Sequence, residues 1–113
     1  MGGVNILVNN AGMGKNIFLL DEKDEAFKDL EEVMQVNLSG VIRCTRAAFK
    51  SMVKNDNNGY IININSVWGH SVPYANMKNN VYPATKHAIT ALTEVLRQEL
   101  IVKKMKKIRV SVI

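Results

Sequence analysis

Three short apolar runs set the limits on what this chain can become. Val4-Asn5-Ile6-Leu7-Val8, Tyr60-Ile61-Ile62-Asn63-Ile64 and Ile108-Arg109-Val110-Ser111-Val112-Ile113 are rich in β-branched residues and have the length of strands. The first breaks into Asn9-Asn10-Ala11-Gly12, and the turn residues Asn55-Asp56-Asn57-Asn58-Gly59 stand just ahead of the second. Between the runs the period changes. From Asp24 to Asn55, Phe27, Leu30, Val33, Met34, Leu38, Val41, Ile42, Thr45, Ala48, Phe49 and Met52 recur at three- and four-residue steps, a helical stripe. Ser39-Gly40 interrupts it, which predicts a short helix and then a long one. A second helical run reaches about Lys104, with Ala88, Ala91, Leu92, Val95, Leu96 and Leu100 as its apolar face. Strand, helix, strand, helix, strand is the alternation of a parallel α/β sheet.

At 113 residues the chain is one small domain. It is 47% hydrophobic and 22% charged, which excludes a disordered chain and fits a soluble globular one. It has no apolar run of membrane-spanning length and no secretory leader. The lone Cys44 rules out an internal disulfide and fits a reducing, cytoplasmic setting; its place on the long helix predicts a core residue. Net charge is +5. It traces to Lys103, Lys104, Lys106, Lys107 and Arg109, and the remaining residues carry ten basic and ten acidic side chains. Cations at a helix C-terminus complement the helix dipole. No aromatic residues are interleaved with them, so no nucleic-acid partner is expected. No membrane partner is expected either. Two histidines and one cysteine make no metal-ligand cluster.

The chemistry concentrates in Asn79-Asn80-Val81-Tyr82-Pro83-Ala84-Thr85-Lys86. Tyr82 and Lys86 stand four apart at the head of the last helix, hence on one face. Pro83 suits a first turn but biases Tyr82 away from helical angles, which leaves their spacing approximate. A phenol has a pKa near ~10, too high for a base at neutral pH, and a neighbouring ammonium favours the phenolate. Such a pair can exchange a proton near neutrality. On an ordinary amphipathic helix the pair would mean nothing. Its context gives it meaning. Neighbouring parallel strands lie about 4.8 Å apart, and ligands bind at the rim formed by their carboxyl ends. Asn10 and Ser66 follow the first two strands, and Tyr82 and Lys86 open the helix that leaves the same rim. A serine hydroxyl there can hold a carbonyl oxygen while the tyrosine moves its proton, and only a hydride donor is lacking. A hydrolase built on Ser66 with His70 or His87 is disfavoured, because Asn65-Ser66-Val67-Trp68-Gly69 has no glycine two residues before the serine. Trp68 is equally well read as a substrate-loop contact or as packing.

Asn9-Asn10-Ala11-Gly12, Asn37 within Met34-Gln35-Val36-Asn37-Leu38, Ser66, and Tyr82-Pro83-Ala84-Thr85-Lys86 resemble, in order, the short-chain dehydrogenase/reductase family. Ser66-Val67-Trp68-Gly69-His70 with Asn80-Val81-Tyr82 and Thr90 to Leu100 resembles its insect farnesol dehydrogenase-like group. The resemblance implies a Rossmann-type sheet and reversible hydride transfer between a nicotinamide and an alcohol or carbonyl. It implies Tyr82 as acid–base, Ser66 holding the substrate oxygen, and Lys86 on the nicotinamide ribose. Asn37 would anchor a water in the proton relay, and Asn10, Ala11 and Gly12 would stabilise the sheet and touch the cofactor. The implied cofactor is NADP, with NAD as the alternative, and the implied assembly is a homo-oligomer paired through the long helices. The family's first strand, its glycine-rich turn and the residue that separates NAD from NADP have no counterpart here. Residues 1–113 are therefore expected to form a single, incomplete Rossmann-type domain. The other expectation is a truncated, non-catalytic relative that acts as a dimerising module.

Overall fold

The computed structural model describes residues 3–113. Strand β1 is Ile6–Asn9, β2 is Gly59–Asn63 and β3 is Ile108–Val112. They form one parallel sheet in the order β1-β2-β3. Leu7 pairs with Ile61, and Ile61 with Val110. Helix α1 (Asp24–Met34) and helix α2 (Gly40–Lys54) follow β1, and helix α3 (Tyr82–Val102) follows β2. Among the described residues no helix is long and apolar enough to cross a membrane.

The expected short helix and then a longer one form, but the chain is not broken between them. Gln35–Ser39 forms a single π turn that joins α1 to α2, and the Gly40 N–H bonds back to the Gln35 carbonyl. One wide turn absorbs the extra residue without opening the hydrogen-bond ladder. It also resets the buried stripe. Leu30, Val33, Asn37, Val41, Thr45, Ala48 and Met52 face inward, whereas Phe27, expected in the stripe, is 61% exposed. Cys44, expected in the core, is exposed too, one residue off the inward row.

The core lies between one face of the sheet and α2 and α3. It joins Ala48, Met52, Ile61, Leu100 and Ile108, with Leu7, Phe49, Leu96 and Val110 packed on it. A Cβ at Gly59 would collide with the Met52 side chain, so glycine there lets α2 close on the sheet. The buried set of α3 differs from the expected one. Pro83, Thr85, Lys86, Ile89 and Leu100 are buried, while Ala91 and Val95 are exposed. The helix turns the first half of its inward row to the sheet rim, where the row is polar.

Among the described residues the opposite sheet face carries no helix. Ile6 and Val8 there are 63% and 50% exposed. Beside them Tyr60 bonds through its hydroxyl to Ser111 at 2.7 Å, and the Arg109 guanidinium lies 4.7 Å from the Tyr60 ring centroid.

Candidate active site

At the carboxyl rim, β1 ends in Asn9, and Asn10, Ala11 and Gly12 follow as an exposed irregular segment. Gly12 lies against two other elements. A Cβ built on it would stand 3.5 Å from Lys86 Nζ and 3.6 Å from Asn37 Oδ1. Asn37 reaches this point because the π turn aims it inward, where it is 1% exposed. Its Oδ1 accepts the Met13 N–H at 2.8 Å, and its Nδ2 donates to the Met13 carbonyl at 2.9 Å and to Thr85 Oγ1 at 3.2 Å. One amide thus ties the loop after β1 to the helix after β2. Both of its N–H groups are used in doing so.

Tyr82 is the first residue of α3, with Pro83 next, so the proline leaves the tyrosine inside the helix. The four-residue spacing to Lys86 holds, and the ammonium lies 5.6 Å from the Tyr82 ring centroid. Trp68 meets the same ring edge-on, with centroids 5.7 Å apart and planes at 89°. Gly14 lies against it as well. Lys86 is only 7% exposed, and burial pushes its ammonium below the ordinary lysine value.

Ser66 is half-buried just past β2, capping the short helical turn Val67–Gly69. Its Oγ accepts the Trp68 N–H at 3.2 Å. A hydroxyl that accepts in this way keeps its own hydrogen for a further acceptor. An open pocket of about 290 Å³ lies between Gly14, Lys15, Trp68, Met77 and Tyr82. An apolar hollow of about 770 Å³ borders it through Lys78 and Asn79 and is walled by Phe18, Leu19, Val72 and Pro83. His87 also lines that hollow, and its Nδ1 is bonded to the Pro83 carbonyl at 2.8 Å. His70 is exposed in the loop after Gly69.

Several positions were missed from the sequence. Asn9 is 8% exposed and donates to Asn63 Oδ1 at 2.8 Å and Thr45 Oγ1 at 3.2 Å. Asn63 in turn donates to Thr93 Oγ1 at 3.0 Å. Asn80, at φ +47°, donates to the Lys15 and Ile17 carbonyls, both at 2.9 Å, and so staples the loop after β1 beside Tyr82. The signal for Asn9 and Asn63 was strand alternation: each stands two residues past an inward apolar residue, Leu7 and Ile61.

A parallel α/β sheet whose carboxyl rim carries a serine after one strand and a tyrosine with a buried lysine at the head of the next helix has a Rossmann-like architecture. The family model for short chain dehydrogenases matches residues 1–113, and the chain belongs to that family. It is 44% identical over 99 residues to farnesol dehydrogenase of Aedes aegypti, covering 88% of this chain and 39% of that one. It is 47% identical over 100 residues to dehydrogenase/reductase SDR family member 11 of Mus musculus, covering 88% and 37%. Among solved structures, the closed form of serine dehydrogenase complexed with NADP+ superposes with a TM-score of 0.73 at 38% identity, over 87% of this chain and 37% of that one. The chain thus spans well under half the length of these relatives.

Proposed function

We propose that these residues are the catalytic middle of a nicotinamide-dependent oxidoreductase that interconverts an alcohol and a carbonyl. The observation that carries the proposal is the buried Lys86 ammonium 5.6 Å from the Tyr82 ring. A buried cation costs free energy unless something compensates it, and here the Tyr82 ring is what the ammonium faces. Tyr82 gives its proton to the substrate oxygen in reduction and takes it back in oxidation. Ser66 donates its hydroxyl to the same oxygen. Asn37 keeps the loop after β1 against α3, and its role in a water relay rests on the family resemblance.

The donor set at the rim fits the nicotinamide end of the cofactor. Lys86 and Tyr82 would face the ribose hydroxyls, and the exposed Asn10-Ala11-Gly12 segment would lie beside them. The bound nicotinamide supplies or accepts the hydride. NADP is the cofactor proposed, with NAD as the alternative; the serine dehydrogenase named above is complexed with NADP+, and a 4-hydroxyisoleucine dehydrogenase that superposes on the chain is complexed with NADH. A bulky, farnesol-like alcohol is favoured by the Aedes relative and by the large apolar hollow beside Tyr82. The free thiol of Cys44 suits a cytoplasmic setting.

Tyr82→Phe is the test, with farnesal and NADPH as substrates. Loss of general acid–base catalysis should lower turnover by about a hundredfold or more. Unchanged turnover would sink the assignment. A second reading, a dimerising module without catalysis, is favoured by one observation. The groove between α2 and α3, about 240 Å³ and lined by Val41, Ile42, Phe49, Leu92, Val95 and Leu96, is apolar and open. It is also where a homo-oligomer of the enzyme would pair. Under that second reading Tyr82→Phe changes nothing, while Val95→Glu breaks the dimer.

A further inference from the structure

The segment that carries Ser66 is tied to the helix that carries Tyr82 and Lys86 through one hydroxyl. Thr90 Oγ1 accepts the Asn65 Nδ2–H at 2.8 Å. The same oxygen donates to the Gly69 carbonyl at 3.1 Å, with the Lys86 carbonyl a longer alternative at 3.5 Å. A hydroxyl has one hydrogen and two lone pairs, so Thr90 serves both neighbours at once. Asn65 immediately precedes Ser66, and Gly69 follows it by three. Thr90 therefore grips the chain on both sides of the serine.

Inside the grip the backbone is already wound. The Gly69 N–H donates to the Ser66 carbonyl at 2.8 Å and the Trp68 N–H to Ser66 Oγ at 3.2 Å. The Asn65 N–H donates to the Ile113 carbonyl at 2.8 Å, which fixes the other end to the sheet. The fit is tight. A Cβ at Gly69 would stand 2.6 Å from Asn65 Nδ2, so only glycine lets the amide lie where Thr90 can hold it. Asn65 Oδ1 is the one buried side-chain oxygen without a hydrogen-bond partner among the described residues.

We infer that Asn65 and Thr90 are positioning residues, a clip that fixes Ser66 on the helix bearing Tyr82 and Lys86. Thr90 lies one turn beyond Lys86 and two beyond Tyr82. The separation of the serine from the tyrosine–lysine pair is thus set by a rigid helix and a single hydroxyl, not by the long loop from Ser71 to Val81. The inference rests on the oxidoreductase reading of the same site, since a serine needs placing only if it holds a reacting oxygen.

The test compares Thr90→Val, which keeps the shape and removes the hydroxyl, with Thr90→Ser, which keeps the hydroxyl. Turnover is measured with farnesal and NADPH beside Tyr82→Phe, and acrylamide quenching of Trp68, the only tryptophan, reads the clipped segment directly. Misplacing a reacting group by about 1 Å costs roughly a hundredfold in rate, so Thr90→Val should lower kcat on that order. Its KM for NADPH should stay unchanged, and Trp68 should become easier to quench. Thr90→Ser should restore both kcat and protection. Wild-type kcat and quenching in a folded Thr90→Val chain would overturn the clip, and so would failure of the serine variant to rescue. If Thr90→Val loses its cooperative unfolding transition, Asn65→Ala makes the same comparison from the other end. A wild-type chain with no turnover counts against the oxidoreductase reading alone, and Trp68 quenching then decides the clip.

Discussion

Lys86 shows how much one residue carries at this site. Its ammonium lies near both Gly12 and the Tyr82 ring. Desolvation disfavours the charged form and pulls its pKa below 10.5. Stability follows from that shift. Between the lowered folded value and 10.5 the unfolded chain binds a proton that the folded chain has released, so raising the pH through this window stabilises the fold. Below the window the burial cost is constant. Lys86→Met keeps the stem and removes the titration. Urea unfolding at a series of pH values up to 10.5 should therefore show the wild type gaining stability with pH relative to Lys86→Met. A pH-independent difference would mean that the ammonium is better solvated than its burial implies.

At the scale of elements, the π turn between α1 and α2 decides the site. Without its extra residue the helix phase would turn Asn37 away from Met13 and Thr85. Asn37→Ala keeps the turn and removes the amide, leaving buried partners unmatched. It should cost about 1–3 kcal/mol of unfolding free energy. Amide exchange at Met13 should quicken more than exchange in β2, and equal protection at both would show that the loop is held by something else. The same turn explains where the sequence misled. Strand and helix existence could be read from the period, because burial on one face imposes it. Ser39-Gly40 looked like a break because propensity records the weakness of glycine in a helix and not the tolerance of a widened turn. Phe27, placed inward by simple periodicity, comes out exposed because the inward row of α1 runs through Ala26, Leu30 and Val33. The parallel sheet alone led to the expectation that Asn10, Ser66, Tyr82 and Lys86 share one rim, because parallel strands send their carboxyl ends there, whereas Gly12 and Asn37 entered only through the family resemblance. The Asn9–Asn63–Thr93 and Asn65–Thr90 pairs were not. Each joins residues far apart in sequence whose types alone suggest turns and caps.

The whole molecule is a slab. Its extents are 50 × 27 × 19 Å, and the shortest fits one sheet covered by one layer of helices. Its radius of gyration is 16.0 Å, against about 13 Å for a compact domain of this length. Its accessible surface of 7721 Å² is about a quarter above the roughly 6,200 Å² expected for a compact protein of its mass. Part of the excess lies on the sheet. Ile6 and Val8 stand in water on the helix-free sheet face, and the β1 edge offers its backbone to any strand that approaches. Covering each of those side chains is worth about 1.5–3 kcal/mol, a large share of the 5–15 kcal/mol that holds a typical domain together. The 113-residue chain on its own should therefore self-associate. Sedimentation velocity should find species well above 12.6 kDa, growing with concentration. The helix groove can seat one copy and give a discrete dimer, whereas an open sheet face and edge can add copies without limit. Ile6→Lys combined with Val8→Lys should then abolish the larger species and leave any discrete dimer intact. Val95→Glu should remove that dimer and leave the larger species. A clean monomer with a cooperative melt at every concentration would mean that the one-sided sheet is stable with its apolar face in water. The polar ladder from Asn9 to Thr93 would then be holding the rim with far more free energy than a typical set of buried amide bonds supplies.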